Sequence, residues 1–141
     1  MEVTGYLSDN IKVTVDAPTV AGTTEIDSTA IDMTGFDGVC FLVKLGTAAA
    51  NNTVKGQQDT VTGFGTVADL AGSSTVAGVT NKVLVLDIQR PTKQFVRAAV
   101  LRGTSTTIDA IIAIQYKARS LPITQIVTSL KQLASPAEGT A

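Results

Sequence analysis

The sequence contains no histidine, no tryptophan and a single cysteine among its 141 residues. The absence of histidine removes the commonest general base, the Ser–His and Cys–His nucleophilic pairs and every zinc site that needs imidazole. The chain also has no Gly-x-Ser-x-Gly motif and no phosphate-binding loop that ends in Lys-Ser or Lys-Thr. The sequence therefore predicts a protein that is not an enzyme, with no catalytic residue, cofactor or metal.

The lone cysteine, Cys40, lies in the apolar run from 38 to 43. Such a cysteine is typical of a buried small side chain rather than of a nucleophile, and it cannot form an intramolecular disulfide. No apolar stretch reaches about 18 residues, which argues against a transmembrane helix. Residues 1–5 lack the positive start and the apolar stretch of a signal peptide, so we expect the chain to fold in a cytoplasm.

Charged residues make up only 16% of the chain, aromatic residues 4%, and the net charge is −1. No basic surface for nucleic acid is expected, and few rings are present on which sugars or single-stranded nucleic acid would stack. A weakly charged surface rich in threonine, serine, glycine and alanine can pack closely against a neighbour, although ordinary β-domains share this composition. We expect neither nucleic acid nor a membrane as a partner.

Short alternating or apolar runs between glycine and proline residues predict six to eight β-strands. The stretch from Lys82 to Leu121 holds three strand-length runs separated by two short turns, which predicts an antiparallel meander. The earlier strands are predicted at 10–16, 23–33, 39–45 and 53–58.

Alternation within these runs also predicts which side chains share a face. In the first strand Ile11, Val13 and Val15 are expected to be buried. In the last strand one continuous face is expected, formed by Ile108, Ala110, Ile112, Ile114 and Tyr116.

Glycine interrupts residues 59–80 so often that we expect a long loop there, with one helical turn at 67–71 as the alternative. Residues 124–134 carry apolar residues at helical spacing and predict a short helix, with a strand as the rival interpretation. Together the patterns predict one all-β domain over 1–141. We expect a β-sandwich of the jelly-roll type, with long loops and extended terminal arms at 1–9 and 121–141.

Acidic residues offer the remaining route to chemistry. Asp27, Asp32 and Asp37 match no calcium loop and are interpreted as turn formers and caps. Asp87 and Asp109 lie within strands and would form an acid–base pair if both faced one cavity. The alternative is that each faces solvent or pairs across strands with a basic residue, for which the candidates are Arg97, Arg102 and Lys117.

Four segments read DMTGFDG (32–38), DIQRPTKQFVR (87–97), IDAIIAIQYKAR (108–119) and SPAEGTA (135–141). They resemble small virion proteins of tailed bacteriophages, the capsid cement or decoration proteins of the Bordetella-phage type. The resemblance implies a jelly-roll sandwich on the outside of a capsid of the HK97-like fold, where dimers clamp neighbouring capsomers. It supplies no site residues.

We therefore expect a non-enzymatic virion protein that is synthesised in the host cytoplasm and lies on the capsid exterior. Its expected partners are the major capsid protein and a second copy of the chain. The alternatives are a tail or head–tail joining component and a glycan-binding module. Arg90, just before Pro91, is expected to anchor a turn through its side chain or to form an intersubunit salt bridge. The other predicted contacts would pair two copies or cover an edge strand of their own domain, and these are Ile123, Ile126, Val127 and Leu130.

Overall fold

The computed structural model describes residues 5–47, 51–76, 83–103 and 105–140. These residues contain one turn of 3-10 helix, Leu7–Asp9, followed by strands only. The strands are β1 (Lys12–Asp16), β2 (Thr19–Gly22), β3 (Ile26–Asp27), β4 (Ile31–Asp32), β5 (Phe36–Leu45), β6 (Thr53–Asp59), β7 (Ala68–Asp69), β8 (Thr75–Val76), β9 (Val83–Gln89), β10 (Phe95–Leu101) and β11 (Thr106–Ala118). None of the described segments is a helix long and apolar enough to cross a membrane.

The strands form two antiparallel sheets. The first sheet has the order β1-β11-β5-β9, with β2 also paired to β11. The second has the order β3-β10-β6-β7, with β4 paired to β10 and β8 paired to β6. The two sheets pack face to face, so the predicted all-β sandwich is confirmed.

Three pairs of short strands each run along one neighbour, and each pair can be counted as one interrupted strand: β1 with β2, β3 with β4, and β7 with β8. When the eight resulting strands are numbered along the chain, they lie side by side in the order 1-8-3-6 in the first sheet and 2-7-4-5 in the second. The jelly-roll connectivity stays a prediction, and this order favours it, since a jelly roll divides eight strands between two sheets.

The core lies between the sheets and follows from alternation along the long strands. In β5, Val39, Phe41 and Val43 are 0% exposed, and they face Val96 and Val100 of β10, which are also fully buried. Every second residue of these strands therefore points into the sandwich, as a strand with one buried face requires.

The predicted meander is wrong, although its three runs are strands. β9 pairs with β5, β10 pairs with β6, and β11 pairs with β5 and β1, so consecutive strands alternate between the two sheets. A turn of about four residues spans the roughly 10 Å between packed sheets as easily as it closes a hairpin. Sequence spacing could not separate these two connections.

The buried face predicted for β1 is wrong, and the continuous face predicted for β11 is present only from Ala110 to Tyr116. The register of β11 against β5 shifts between Ile108 and Ala110. This bulge leaves Ile108 in the core at 1% exposure. After the bulge, Ala110 and every second residue that follows it point outward instead. In β1, Val13 and Val15 lie opposite the outward-facing Ile114 and Ile112, and Val15 is 64% exposed.

Of the other predictions from the sequence, some are confirmed and some are wrong. The strands predicted at 10–16, 23–33, 39–45 and 53–58 are present, and residues 60–76 hold only β7 and β8. The helical turn at 67–71 is wrong. Residues 1–4, 48–50, 77–82, 104 and 141 lie outside the described residues, so the predictions that fall on them have no counterpart in this description.

The predicted helix at 124–134 is also wrong, because residues 119–140 contain neither helix nor strand. This segment bonds to the N-terminal residues instead of to itself. The backbone N–H of Ile123 donates to the carbonyl of Asp9 at 3.1 Å, and Gln125 Nε2 donates to the carbonyls of Ser8, at 2.7 Å, and Ile11.

Candidate interaction surface

The outward side of the first sheet is built from apolar side chains in register. One row crosses all four strands and contains Val15, Ile112, Leu42 and Val85. Residues directly opposite one another in antiparallel strands point to the same face. The next row contains Val13, Ile114 and Cys40. We call these seven residues the outer apolar face.

This composition is unusual for the outside of a sandwich. An antiparallel sheet with one solvated face normally alternates apolar inward and polar outward residues. Here Val85 on the edge strand is 58% exposed, and Val15 on the opposite edge is 64% exposed. The central residues Leu42, Ile112 and Ile114 are half-buried because their neighbours in the rows shield them. An apolar patch that spans a whole sheet marks a contact surface.

Charged groups at the two ends of the outer apolar face have partners. At one end Lys44 Nζ lies 2.6 Å from Asp109 Oδ2. At the other end the hydroxyl of Tyr116 donates to Asp87 Oδ1 at 2.5 Å. Burial, and then the hydrogen bond and negative charge of Asp87, raise the pKa of Tyr116 above its ordinary value.

Cys40 lies on this face and not in the core, and its side chain is half-buried. It borders a shallow depression of about 440 Å³ whose other walls include Leu7, Ile11 and Ile114. Burial raises the pKa of the Cys40 thiol, and the nearby charge of Asp87 acts in the same direction. A raised pKa keeps the thiol protonated, which suits a small apolar side chain rather than a nucleophile.

Asp87 and Asp109 do not share a cavity. Asp87 of β9 is paired with Cys40 of β5. The carboxylate of Asp109 lies against Gly46, just beyond the end of β5. Six residues of extended chain separate Cys40 from Gly46, which corresponds to about 20 Å. An acid–base pair of carboxyl groups is about 5–10 Å apart, so the predicted pair is not formed. Both residues are exposed, as the alternative predicted, but their partners are Tyr116 and Lys44 and not the predicted basic residues.

The outward side of the second sheet has the opposite character. Arg97 Nη1 lies 3.0 Å from Asp27 Oδ2, and Arg97 Nε donates to Gln57 Oε1 at 2.8 Å. Gln57 Nε2 then donates to Asp69 Oδ1 at 2.8 Å, and Lys55 lies 2.9 Å from the same carboxylate. These polar groups satisfy one another in a continuous network. This network makes the outward side of the second sheet more polar than the outer apolar face.

Asp27, Asp32 and Asp37 have separate roles, and no group of metal-ligating residues occurs among the residues described. The predicted role of turn former is confirmed for Asp32, whose Oδ1 accepts the backbone N–H of Thr34 at 2.9 Å. Hydrogen bonds from Thr34 lower the pKa of Asp32 despite the opposing effect of burial.

Arg90 forms its turn through the backbone and not through the predicted side-chain anchor. Its φ of 53° is left-handed, and its N–H donates to the carbonyl of Asp37 at 2.7 Å. The exposed side chain borders a depression of about 660 Å³ that also contains Lys93 and Arg119. The intersubunit salt bridge of Arg90 stays a prediction.

The predicted C-terminal contact residues lie close together in the sequence, between Ile123 and Leu130. Ile126, Val127 and Leu130 are 65%, 42% and 51% exposed, respectively, and Ile123 is half-buried. Their segment lies beside residues 8–11, just before β1 begins. Their role in contacting a partner stays a prediction.

No family model and no curated protein matches this chain. Among solved structures, one chain from Bacillus endospore appendages, described as a novel family of disulfide-linked pili, is similar over 82% of this chain and 97% of its own length. The identity is 14% and the TM-score 0.47. This low similarity assigns no function to the present chain.

Proposed function

We propose that this chain is a non-enzymatic virion protein that binds the outside of an HK97-like capsid and stabilises the shell by clamping neighbouring capsomers. The observation that carries the proposal is the outer apolar face, which continues without interruption from Val15 on one edge of the first sheet to Val85 on the other. A rigid sandwich with one adhesive side suits a protein that works by contact.

Removal of apolar surface from water supplies about 25 cal/mol per Å², so even a modest patch contributes to binding. A cement protein adds such contacts many times over a repeated lattice, and each copy needs only moderate affinity. Because the protein binds the assembled shell and not the free subunits, mass action stabilises the shell. The resemblance of residues 87–97 and 108–119 to phage cement proteins supports the capsid as the partner.

Pairing of two copies is part of this proposal. The exposed side chains of Ile126, Val127 and Leu130 provide a second apolar surface outside the sandwich. Two contact surfaces are what a clamp requires, since one can bind the shell while the other joins a second copy. In the dimer Arg90 is available for a salt bridge between subunits.

A tail or head–tail joining component would use the same adhesive surface and is the second candidate. Copy number separates the two functions. A cement protein covers the whole shell in many copies, whereas a joining protein forms a single ring at the portal. The band intensity of this chain relative to the capsid protein in purified particles distinguishes them.

The direct test compares the heat resistance of capsids assembled without the chain before and after the purified protein is added. Wild type is expected to raise heat resistance, and Val15→Lys, which charges the outer apolar face, is expected to fail. The matched control is Val61→Lys, because Val61 is also an exposed valine (52%) but lies in the loop after β6. Capsids that are equally resistant with and without the chain would refute the proposal.

A further inference from the structure

Of the four sheet edges, three are interrupted. The edge formed by β1 and β2 is broken at Ala17–Pro18, and β3, β4, β7 and β8 are two residues long. Short or broken edge strands are a known protection against unwanted pairing. The fourth edge, β9, is an unbroken seven-residue strand, VLVLDIQ, with no proline and one charged residue.

The hydrogen-bond pattern shows which groups of β9 face outward. The N–H of Arg90 donates to the carbonyl of Asp37. Hydrogen-bonded pairs alternate along antiparallel strands, so Leu84, Leu86 and Ile88 bond to β5. The N–H and C=O groups of Val85 and Asp87, like those of Val83 and Gln89, therefore point away from the sheet. No strand in the described part of the chain pairs with that side.

A groove of about 750 Å³ runs along this edge, between β9 and residues 70–75, which form the loop after β7 and the start of β8. Leu70, Leu86 and Ile88 contribute apolar surface, and Ser73 and Ser74 contribute hydroxyl groups. An extended residue in a sandwich occupies about 160 Å³, the product of the residue rise, strand spacing and sheet spacing. The groove therefore holds about five residues of extended chain.

We propose that β9 is a docking edge, which accepts an extended, uncharged segment of a partner polypeptide as a fifth strand of the first sheet. The backbone of the segment bonds to Val85 and Asp87, and its alternate apolar side chains enter the groove. Charged side chains are disfavoured there because the groove carries charges only at Asp87 and Arg90.

The size of the edge favours a peptide segment over a second copy of the chain. Seven residues extend about 24 Å, and the side of a two-layer sandwich is roughly 20 Å high, so the edge offers less than about 500 Å². A stable protein–protein interface buries about 800 Å² on each partner. The area buried by pairing β9 with β9 of a second copy would be smaller than that. The area of the edge is sufficient for a single added strand. This inference is independent of the capsid as the partner.

The test uses a capped hexapeptide of alternating threonine and valine as the probe, and the same peptide N-methylated at alternate residues as its control. Amide exchange is followed by NMR on the intact protein. The unmodified peptide is expected to slow exchange at Val85 and Asp87 by about tenfold or more at millimolar concentration, and the methylated peptide is not. Equal effects of both peptides, or no effect, would overturn the proposal.

Two variants separate docking from folding. Val85→Pro removes an outward N–H without removing a bond to β5, so it is expected to abolish the effect of the peptide and keep the fold. Val85→Thr keeps the N–H and is expected to keep the effect. The proposal fails if the amides of Val85 and Asp87 are already protected in the free monomer. It also fails if sedimentation shows self-association that Val85→Pro abolishes, since the occupant is then a second copy.

Discussion

Tyr116 lies directly over Gly38, so closely that a β carbon on residue 38 would be 2.2 Å from the Cζ atom of the ring. The two residues face each other in register on β11 and β5. Because residue 38 has no side chain, the tyrosine can cross β5 and reach Asp87 on β9. One hydrogen bond thereby links three strands on the outward side of the first sheet.

Gly38→Ala is expected to displace the ring of Tyr116 and to destabilise the fold by about 1–2 kcal/mol, as overpacking does. Urea unfolding gives the change in free energy. The matched control is Gly63→Ala, because a β carbon at Gly63 would meet no atom within 4 Å. An equal effect of the two substitutions would show that the ring does not depend on Gly38.

The raised pKa of Tyr116 predicts alkaline sensitivity. In the unfolded chain the phenol loses its proton near pH 10, whereas in the folded protein burial and Asp87 hold the proton. Above about pH 10 the unfolded state therefore binds fewer protons, and the free energy of unfolding falls as pH rises. Below pH 10 the contribution is fully present.

Asp87→Asn is expected to lower the pKa of Tyr116 and to reduce this alkaline loss of stability. Ultraviolet titration in a Tyr6→Phe background isolates the ionisation of Tyr116, since the chain has only two tyrosines. Asp109→Asn is the control, because Asp109 pairs with Lys44 at the other end of the face. An unchanged titration in Asp87→Asn would contradict the hydrogen bond.

Alternation and turn residues predicted the class of fold because they report local properties of the chain. The run around Phe41 is apolar on both sides and ends at Gly46, and it forms β5 as predicted. The partners of each strand are set by packing between distant segments, and turn length does not reveal them. The bulge after Ile108 likewise has no clear sequence signal, although it decides which isoleucines enter the core.

The outer apolar face was missed, but a signal for it was present. In β9 both Val83 with Val85 and Leu84 with Leu86 are apolar, so the sequence gives this strand two apolar faces. A sandwich has only two layers, so a strand with two apolar faces must turn one of them outward. The roles of Arg102 and Gln57 could not have been assigned, since most of their partners, such as Thr24 and Arg97, are distant in sequence.

The contacts of Arg102 predict that the stability of the fold depends strongly on its guanidinium group. The side chain is 8% exposed, and it donates to the carbonyls of Thr24 at 2.7 Å, Val20 at 2.8 Å and Thr106 at 2.9 Å. Lysine cannot reproduce this fork. Arg102→Lys is expected to cost about 2–3 kcal/mol, because buried carbonyls lose charge-assisted bonds.

Urea unfolding tests this prediction, with Arg119→Lys as the control. The side chain of Arg119 is 74% exposed and pairs only loosely with Asp37, at 3.5 Å. The control is expected to change stability by less than about 0.5 kcal/mol. A similar small change for Arg102→Lys would show that the carbonyls do not need the guanidinium.

Asp59 predicts a loss of stability in acid. Burial acts to raise its pKa, but hydrogen bonds from the hydroxyl and N–H of Thr66 and from the N–H of Thr60 outweigh it and lower the pKa to about 2. The unfolded chain takes up the proton near its ordinary value of 3.8. The stabilisation is therefore present above pH 4 and is lost as pH falls to about 2.

Asp59→Asn is expected to lower stability at pH 7 and to flatten the dependence of unfolding free energy on pH between 4 and 2. Thr66→Ala is expected to reduce the same slope in part, because one donor to the carboxylate is lost. Thr62→Ala, at an exposed threonine of the same loop, is the control. An unchanged slope in Asp59→Asn would assign the acid sensitivity to other carboxylates.

The hydrogen bonds of the C-terminal segment predict that their removal frees this segment locally without destabilising the sandwich. Gln125 holds the segment through the carbonyls of Ser8 and Ile11, and Gln132 Nε2 donates to Asp9 Oδ1 at 2.8 Å. The double substitution Gln125→Ala and Gln132→Ala is expected to speed amide exchange at Ile123 by about tenfold or more, since this N–H loses its fixed acceptor.

The thermal midpoint of the sandwich is expected to change little, because residues 119–140 contribute no strand to either sheet. Gln58→Ala is the control. The amide of Gln58 also makes side-chain hydrogen bonds, but to Thr92 and Lys93 in the turn before β10 and not to the N-terminal residues. If exchange at Ile123 stayed slow in the double variant while the midpoint fell, the C-terminal segment would belong to the cooperative fold, and its apolar side chains would not act as a separate arm.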